Sequence, residues 1–129
     1  MRYLTLGEAL VIAEAVTGLD VVTLQRVTRI ELLDSALHAP QASFAGQELY
    51  AEFFDKAAIL TVRISKNHPL PDCNKRLAWA SCNMFLMVNG YRLDVPTAPA
   101  VEVMLAVAAG EIDEVELASW LEAWAKKAE

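Results

Sequence analysis

A helical spacing of apolar residues runs through most of the chain and restricts its fold more than any other feature. Apolar side chains recur three and four positions apart, which is typical of helices that bury one face. The pattern predicts helices at about residues 6–17, 24–37, 47–67, 72–90, 96–109 and 113–124. No alternating pattern is longer than a short hairpin, so the sequence predicts an all-α fold.

Cap residues and prolines support the bounds of these helices. Thr5 followed by Glu8 forms a capping box at the start of the first helix, and Gly18 is suited to end it. Pro69 and Pro71 cannot continue the long helix that precedes them.

The segment His38–Gly46, HAPQASFAG, breaks the helical pattern. Pro40, Ser43 and Gly46 favour either an ordinary loop between helices or a short hairpin. Phe44 is its one large apolar residue and is predicted to lie either at an exposed tip or in the core.

Composition narrows the class of protein. With 129 residues, 55% of them apolar, the chain is predicted to fold as one domain over residues 1–129. Its apolar runs are too short to span a bilayer and its first residues do not resemble a leader, so a cytoplasmic protein without membrane contact is expected.

Two cysteines indicate no disulfide framework. A net charge of −6 argues against broad nucleic-acid binding, so any phosphate chemistry must be local.

The stretch NHPLPDCNKRLA, residues 67–78, places cations where a helix start disfavours them. Asp72 is predicted to be the N-cap, with the next three residues in the first turn. The positive end of the helix dipole repels Lys75 and Arg76 by roughly 0.3–1 kcal/mol each. A bound phosphate chain would reverse this penalty, because the free N–H groups of the first turn and both cations would face it.

Neighbouring residues complete a set suited to attack by a hydroxyl on a nucleotide phosphate. His68 precedes the helix start by a short, proline-stiffened loop, and an imidazole can take a proton near neutral pH. Asp72 offers a carboxylate for Mg²⁺, and Asn74 offers an amide donor. Each residue alone has an ordinary interpretation as a cap, a loop histidine or a solvated polar group. Together they indicate phosphate chemistry.

The nine residues HPLPDCNKR closely resemble the signature HxFx(D/E)xN(G/K)R of the Fic/Doc family. Lys75 matches the Doc (death-on-curing) branch, since most Fic enzymes have Gly there. The segments YLTLGEAL, ALHAPQASFAGQELY and VNGYRL resemble Doc segments in the same order, so the resemblance covers about residues 3–93. It implies a Fic-fold helical bundle with a short β-hairpin flap, in which Ala42, Ser43 and Phe44 dock the target segment by strand addition.

The resemblance implies a role for each matched position. His68 would be the general base that activates a target hydroxyl, and Asp72 would hold Mg²⁺. Cys73 and Asn74, with the helix N-terminus, would cradle phosphates. Arg76 would neutralise charge on the transferred or leaving phosphate.

Lys75 distinguishes two reactions. Fic enzymes in general transfer AMP from ATP, whereas the lysine of Doc is associated with an inverted nucleotide and transfer of the γ-phosphate. The resemblance thus implies a toxin that uses ATP and Mg²⁺ to phosphorylate a threonine of elongation factor Tu and so arrests translation. Its partner would be a Phd-like antitoxin whose C-terminal helix covers the active site, because this chain carries no (S/T)xxxE(G/N) inhibitory motif.

Three alternatives stay open on sequence. The chain could transfer AMP with the same base and carboxylate, it could be a hydrolase that pairs Cys73 with His68, or it could be a degenerate Fic fold that only binds a protein. Three positions depart from the family pattern and bear on the rate of turnover. These are Leu70 in place of Phe, Cys73 in place of the usual Gly or Ala, and Ala80 where Doc-like kinases can carry Asn.

Overall fold

The fold is a bundle of helices arranged around one central helix. The computed structural model describes residues 1–128, which form seven α-helices, one 3₁₀ turn and two pairs of short antiparallel strands. The helices are α1 (Leu6–Thr17), α2 (Val21–Val27), α3 (Ile30–His38), α4 (Phe53–Asn67), α5 (Asn74–Val88), α6 (Thr97–Ala108) and α7 (Glu114–Trp124). The 3₁₀ turn is Ala39–Gln41, and the strands are β1 (Ser43–Phe44), β2 (Gln47–Glu48), β3 (Tyr91–Leu93) and β4 (Ala125–Lys127). The prediction of an all-α fold is confirmed.

Helix α4 lies at the centre of the bundle. It packs against α3, α5, α6 and α7, and nine of its fifteen residues are buried. Leu60 and Ile64 are almost completely excluded from solvent. Because α4 is held on several sides, the residue that follows its C-terminus has a well-defined position in the molecule.

Aromatic rings fix the start of α4 against α5 and β3. The ring of Phe53 stacks on those of Phe85 and Tyr91, with centroid separations of 5.3 and 5.1 Å. Phe54 meets Tyr91 edge-on at 5.3 Å. Such offset and edge-on pairs add to the apolar burial of the rings. These contacts fix α4 relative to α5, and the loop that joins the two helices carries the predicted site.

The capping box predicted for the first helix is confirmed, and a second one begins α7. Thr5 Oγ1 accepts a hydrogen bond from Glu8 N at 3.1 Å, and Glu8 Oε1 accepts one from Thr5 N at 3.0 Å. Asp113 and Glu116 form the same reciprocal pair at the start of α7. Gly18 ends α1 with φ 76°, as its lack of a Cβ predicts.

The predicted helix over 24–37 is wrong, because the chain breaks it into α2 and α3. Thr28 and Arg29 have ψ values of 136° and 87°, outside the helical range. The N–H of Arg29 donates to the carbonyl of Pro69 at 2.8 Å instead of to an intrahelical acceptor. The break therefore depends on a distant residue, which local periodicity cannot reveal.

The helix predicted from Gln47 begins only at Phe53, because residues 47–48 pair with residues 43–44. The hairpin alternative for this segment is therefore the correct one. Phe44 is 77% exposed, so it is a tip residue and not a core anchor. Leu49, which lies inside the range predicted to be helical, is 58% exposed.

A second pair of strands was not predicted. Strand β3 pairs with β4, with Tyr91 opposite Lys127 and Leu93 opposite Ala125. Gly90 adopts φ 87° just before β3, at the end of the range 72–90 that was predicted to be helical. The pairing brings the last described residues beside the end of α5. Within residues 1–128, none of the helices is both long and apolar enough to cross a bilayer.

Candidate active site

The loop between α4 and α5 carries most of the predicted site residues. His68 ends α4 in the left-handed conformation, with φ 47° and ψ 58°, and its side chain is exposed. Pro69 and Leu70 turn inwards, and Leu70 is only 4% exposed. Leu70, which stands in place of the Phe of the signature, therefore anchors the loop in the core. The histidine is therefore presented to solvent by a loop whose next two residues are buried.

Asn74 holds this loop in place. Its Oδ1 accepts a hydrogen bond from Leu70 N at 2.9 Å, and its Nδ2 donates to Leu70 O at 2.9 Å. The same Nδ2 lies 3.5 Å from His68 Nδ1, at the long limit of a hydrogen bond. Asn74 is buried, so its amide is committed to the loop backbone. Its contribution to an anion site would come from its backbone N–H.

Asp72 is not the N-cap that the sequence predicted. Helix α5 begins at Asn74, and Cys73 occupies the cap position with φ 69° and ψ 24°. Cys73 N donates to Asp72 Oδ1 at 2.8 Å. A left-handed conformation costs a residue with a Cβ roughly 1–2 kcal/mol, a cost that glycine at this position would avoid. Cys73 therefore lies just outside the first turn.

A cavity of ≈ 340 Å³ brings the predicted residues together. Its lining contains His68, Pro71 and all of residues 72–76. The first N–H groups of an α-helix have no intrahelical partner, and those of α5 begin at this cavity. The site therefore combines an imidazole, a carboxylate, a helix N-terminus and two cations in one opening.

Lys75 and Arg76 supply positive charge that other side chains do not neutralise. Both are exposed, and within residues 1–128 neither forms a salt bridge. Their placement in the first turn of α5 remains unfavourable with respect to the helix dipole. In a chain with net charge −6, this is a local positive site suited to a phosphate group.

Asp72 fits a magnesium ion that is shared with a nucleotide. Its side chain is exposed at the cavity, and within residues 1–128 its only hydrogen bond is the one from Cys73 N. No group of three or more potential metal ligands occurs among His, Cys, Asp and Glu of the described residues. Mg²⁺ in phosphotransfer sites commonly uses one or two carboxylates, with phosphate and water oxygens completing the shell. A single carboxylate agrees with that mode of binding.

The predicted flap residues do not line this cavity. Ala42, Ser43 and Phe44 belong to the hairpin, in which Leu49 N donates to Ala42 O at 2.9 Å. Both strands of the hairpin are exposed to solvent. The hairpin therefore offers a free strand edge, as the flap assignment requires.

A second cavity beside the site was missed by sequence reasoning. It measures ≈ 340 Å³ and is mainly apolar, and it shares Lys75 and Arg76 with the first cavity. Its other walls come from α5, α6 and the segment between β3 and α6: Trp79, Val95, Thr97, Ala100, Val101, Met104 and Leu105. The only local signal was the apolar surface of α6, where Val101 and Leu105 stay exposed. In the sequence, an apolar helix face that lines a cavity cannot be distinguished from one that packs against the core.

Comparisons with known proteins agree with the family resemblance of the sequence. Residues 3–86 match the model of the Fic/DOC family. The chain is also similar to a protein named Toxin Doc from Mycolicibacterium smegmatis, with 39% identity over 100 residues. That alignment covers 76% of this chain and 77% of the relative. The range matched by the family model, residues 3–86, includes the whole loop between α4 and α5.

Proposed function

Because the chain belongs to the Fic/DOC family, as its signature predicted, we propose that it is a Doc-like toxin that phosphorylates a protein. In this proposal the γ-phosphoryl group of ATP is transferred to a hydroxyl of the target. The name of its relative, Toxin Doc, supports the assignment to the toxin branch.

The observation that carries the proposal is the cavity shared by His68, Asp72, Lys75 and Arg76. Lys75 and Arg76 form no salt bridge within residues 1–128 and stand at a helix N-terminus, where a bound anion would make their position favourable. An exposed imidazole opens on the same space. These are the groups that a phosphoryl transfer requires for charge neutralisation and proton removal.

His68 acts as the general base in the proposed reaction. The target oxygen forms a bond to the γ-phosphorus as the bond from this phosphorus to the β–γ bridging oxygen breaks. The hydroxyl proton moves to the imidazole of His68, and ADP leaves with the negative charge on its β-phosphate. Lys75 and Arg76 balance charge that accumulates on the transferred and leaving groups.

Asp72 is the residue that would hold Mg²⁺, and the ion would supply positive charge that offsets the charge of the phosphates. The chain itself keeps the carboxylate oriented through the hydrogen bond from Cys73 N. Asn74 keeps His68 and the helix start at a fixed separation by holding Leu70 between them.

The apolar cavity is the proposed site for the nucleoside of ATP. It adjoins Lys75 and Arg76, so phosphates bound at the first cavity would lead directly into it. Trp79 and Met104 offer apolar surface for a purine ring. The proposed arrangement places the γ-phosphate near His68 and the base against α6.

The proposed target is a threonine of elongation factor Tu, and its phosphorylation would arrest translation. The exposed edge of the hairpin would align the target segment by strand addition. A Phd-like antitoxin would restrain the toxin by placing a C-terminal helix over the cavity. These finer assignments rest on the family and on the match to Toxin Doc.

AMP transfer is the second candidate reaction. It would use the same His68 and Asp72 with the nucleotide reversed, so that the α-phosphate faces the base. Lys75 favours phosphoryl transfer, since its ammonium takes up space and supplies charge at the helix start where most Fic enzymes have glycine. A binding module without activity is the third candidate. The presence of the base, the carboxylate and both cations in one cavity speaks against it.

Incubation with labelled ATP tests the proposal. The purified chain, Mg²⁺ and a bacterial lysate should yield one labelled protein with γ-labelled ATP and none with α-labelled ATP. His68→Ala should remove the label, and expression of the wild type should arrest growth where His68→Ala does not. Label from the α-position would instead support AMP transfer. A well-folded protein that labels nothing and leaves growth unimpeded would support the binding module.

A further inference from the structure

Lys56 is the one lysine of the described residues that is buried, and the proposed reaction does not use it. It lies in the first half of α4 and is only 3% exposed. A buried ammonium is costly unless its hydrogen bonds are satisfied. The partners of Lys56 therefore reveal what its position accomplishes.

One of those partners precedes the hairpin and the other lies within it. Lys56 Nζ donates to the carbonyl of Pro40 at 3.1 Å and to Glu48 Oε1 at 2.7 Å. Pro40 precedes β1, and Glu48 lies in β2. A single side chain thus connects α4 with β2 and with the turn that leads into β1. His68 follows the last residue of that same helix.

The charge of Lys56 is retained in this position. Burial acts to lower the pKa of its ammonium, but the hydrogen bond to Glu48 and the neighbouring Tyr3 outweigh it, so the pKa is raised. The ring centroid of Tyr3 lies 5.9 Å from Nζ. Tyr3 also stacks on Phe85 in the core, at a centroid separation of 6.2 Å. The cation therefore connects the hairpin with packed, rigid parts of the bundle.

The hairpin has little else to hold it. Its strands are two residues each, and all four strand residues are exposed. The side chain of Phe44 is 77% exposed and does not belong to the hydrophobic core of the described residues. Two-stranded hairpins of this length are not stable on their own. The bonds of Lys56 are therefore a main source of order at this edge.

We propose that Lys56 is a positioning residue that fixes the hairpin against α4 and so sets where a target segment lies relative to His68. The inference rests on the proposed function, and it adds a determinant of target recognition outside the phosphate cavity. Lys56 lines neither of the two cavities in which the proposed reaction places ATP. Its loss should therefore affect use of the protein target and leave use of the nucleotide intact.

Steady-state kinetics with elongation factor Tu as the target separates the two effects. Lys56→Met should raise KM for the target about tenfold and change KM for ATP by less than about twofold. Lys56→Arg should recover part of the loss, because it keeps a buried donor. Glu48→Gln removes the charged partner at a side chain that is 54% exposed, so it should fold normally and shift KM in the same direction. Arg63→Met is the matched control, since it removes an exposed cation from the same helix.

Hydrogen exchange supplies a readout that does not depend on catalysis. The amide of Leu49, which bonds to Ala42 O, should exchange about tenfold faster in Lys56→Met and Glu48→Gln than in the wild type. Wild-type exchange in both variants, or equal rises in both KM values, would overturn the positioning role. If the wild type transfers nothing to the target, the proposed function fails, and the exchange comparison still decides whether Lys56 orders the hairpin. If Lys56→Met does not fold, Glu48→Gln decides both measurements.

Discussion

At the scale of single residues, Asn74 gives the loop between α4 and α5 its shape. The sequence predicted an amide donor for phosphate, whereas the side chain makes both of its short hydrogen bonds to the backbone of Leu70. Residue types at the site could be predicted, because a base, a carboxylate and cations have recognisable chemistry. The partner of Asn74 could not, because it depends on a loop that turns Leu70 into the core.

Replacement of Asn74 by alanine should destabilise the protein by about 1–3 kcal/mol, the cost of leaving buried backbone groups unpaired. Urea denaturation measures this loss as a lower midpoint. Asn83→Ala is the control on the same helix, since its side chain bonds only to the carbonyl of Trp79. The assignment of Asn74 as a loop clamp fails if both variants lose the same small amount.

Replacement of Cys73 by glycine should raise the free energy of unfolding, by up to about 1 kcal/mol, because glycine accepts φ 69° without a steric penalty. Transfer activity should persist, which a thermal melt and a γ-label assay check together. Loss of all activity in a folded Cys73→Gly protein would revive the cysteine hydrolase, in which the thiol is the nucleophile.

At the scale of elements, capping boxes and prolines predicted several helix ends correctly, whereas the cap predicted at Asp72 was wrong and pairing between distant segments could not be predicted. The capping boxes of α1 and α7 use residues three apart, so a short window reveals them. The break before α3 requires Pro69, and the start of α4 requires the hairpin. The apolar cavity needs α5 and α6 side by side, which no local pattern encodes.

The capping box of α1 should make stability depend on pH in a defined direction. The hydrogen bond from Thr5 N is the main cause of a lowered pKa at Glu8, with Arg2 adding to it. Since the folded pKa lies below the ordinary value of 4.5, the contribution is present above that value and is lost as pH falls through the folded pKa. Glu8→Gln should cost about 0.3–1 kcal/mol at neutral pH and less at an acidic pH well below 4.5, measured by denaturation at both values. An equal cost at both values would contradict the assignment.

A charge placed in the apolar cavity should weaken nucleotide binding alone. Val101 lines the cavity from α6 and is 51% exposed, so Val101→Glu should fold normally and raise KM for ATP about tenfold. Val115→Glu is the control at an exposed valine of α7 outside this lining. An unchanged KM for ATP would place the nucleoside elsewhere.

At the scale of the whole molecule, the hydrophobic core and the positive charge of the candidate site lie in different regions. The core surrounds α4, and the two cations at the start of α5 stand out against a net charge of −6. The helical class and the family followed from periodicity and a nine-residue signature. The second strand pair did not, because its three-residue strands, Tyr91–Leu93 and Ala125–Lys127, lie far apart in sequence. Strands that short have no period to detect.

The mass added to the target tests the central claim most directly. After incubation of elongation factor Tu with the chain, ATP and Mg²⁺, intact mass spectrometry should show one added phosphoryl group, located on a threonine. His68→Ala should leave the mass of the target unchanged, and Lys75→Gly should reduce the phosphorylated fraction. A target that gains the mass of AMP in the wild-type reaction, or gains nothing while growth is still arrested, would contradict phosphoryl transfer as the activity of this site.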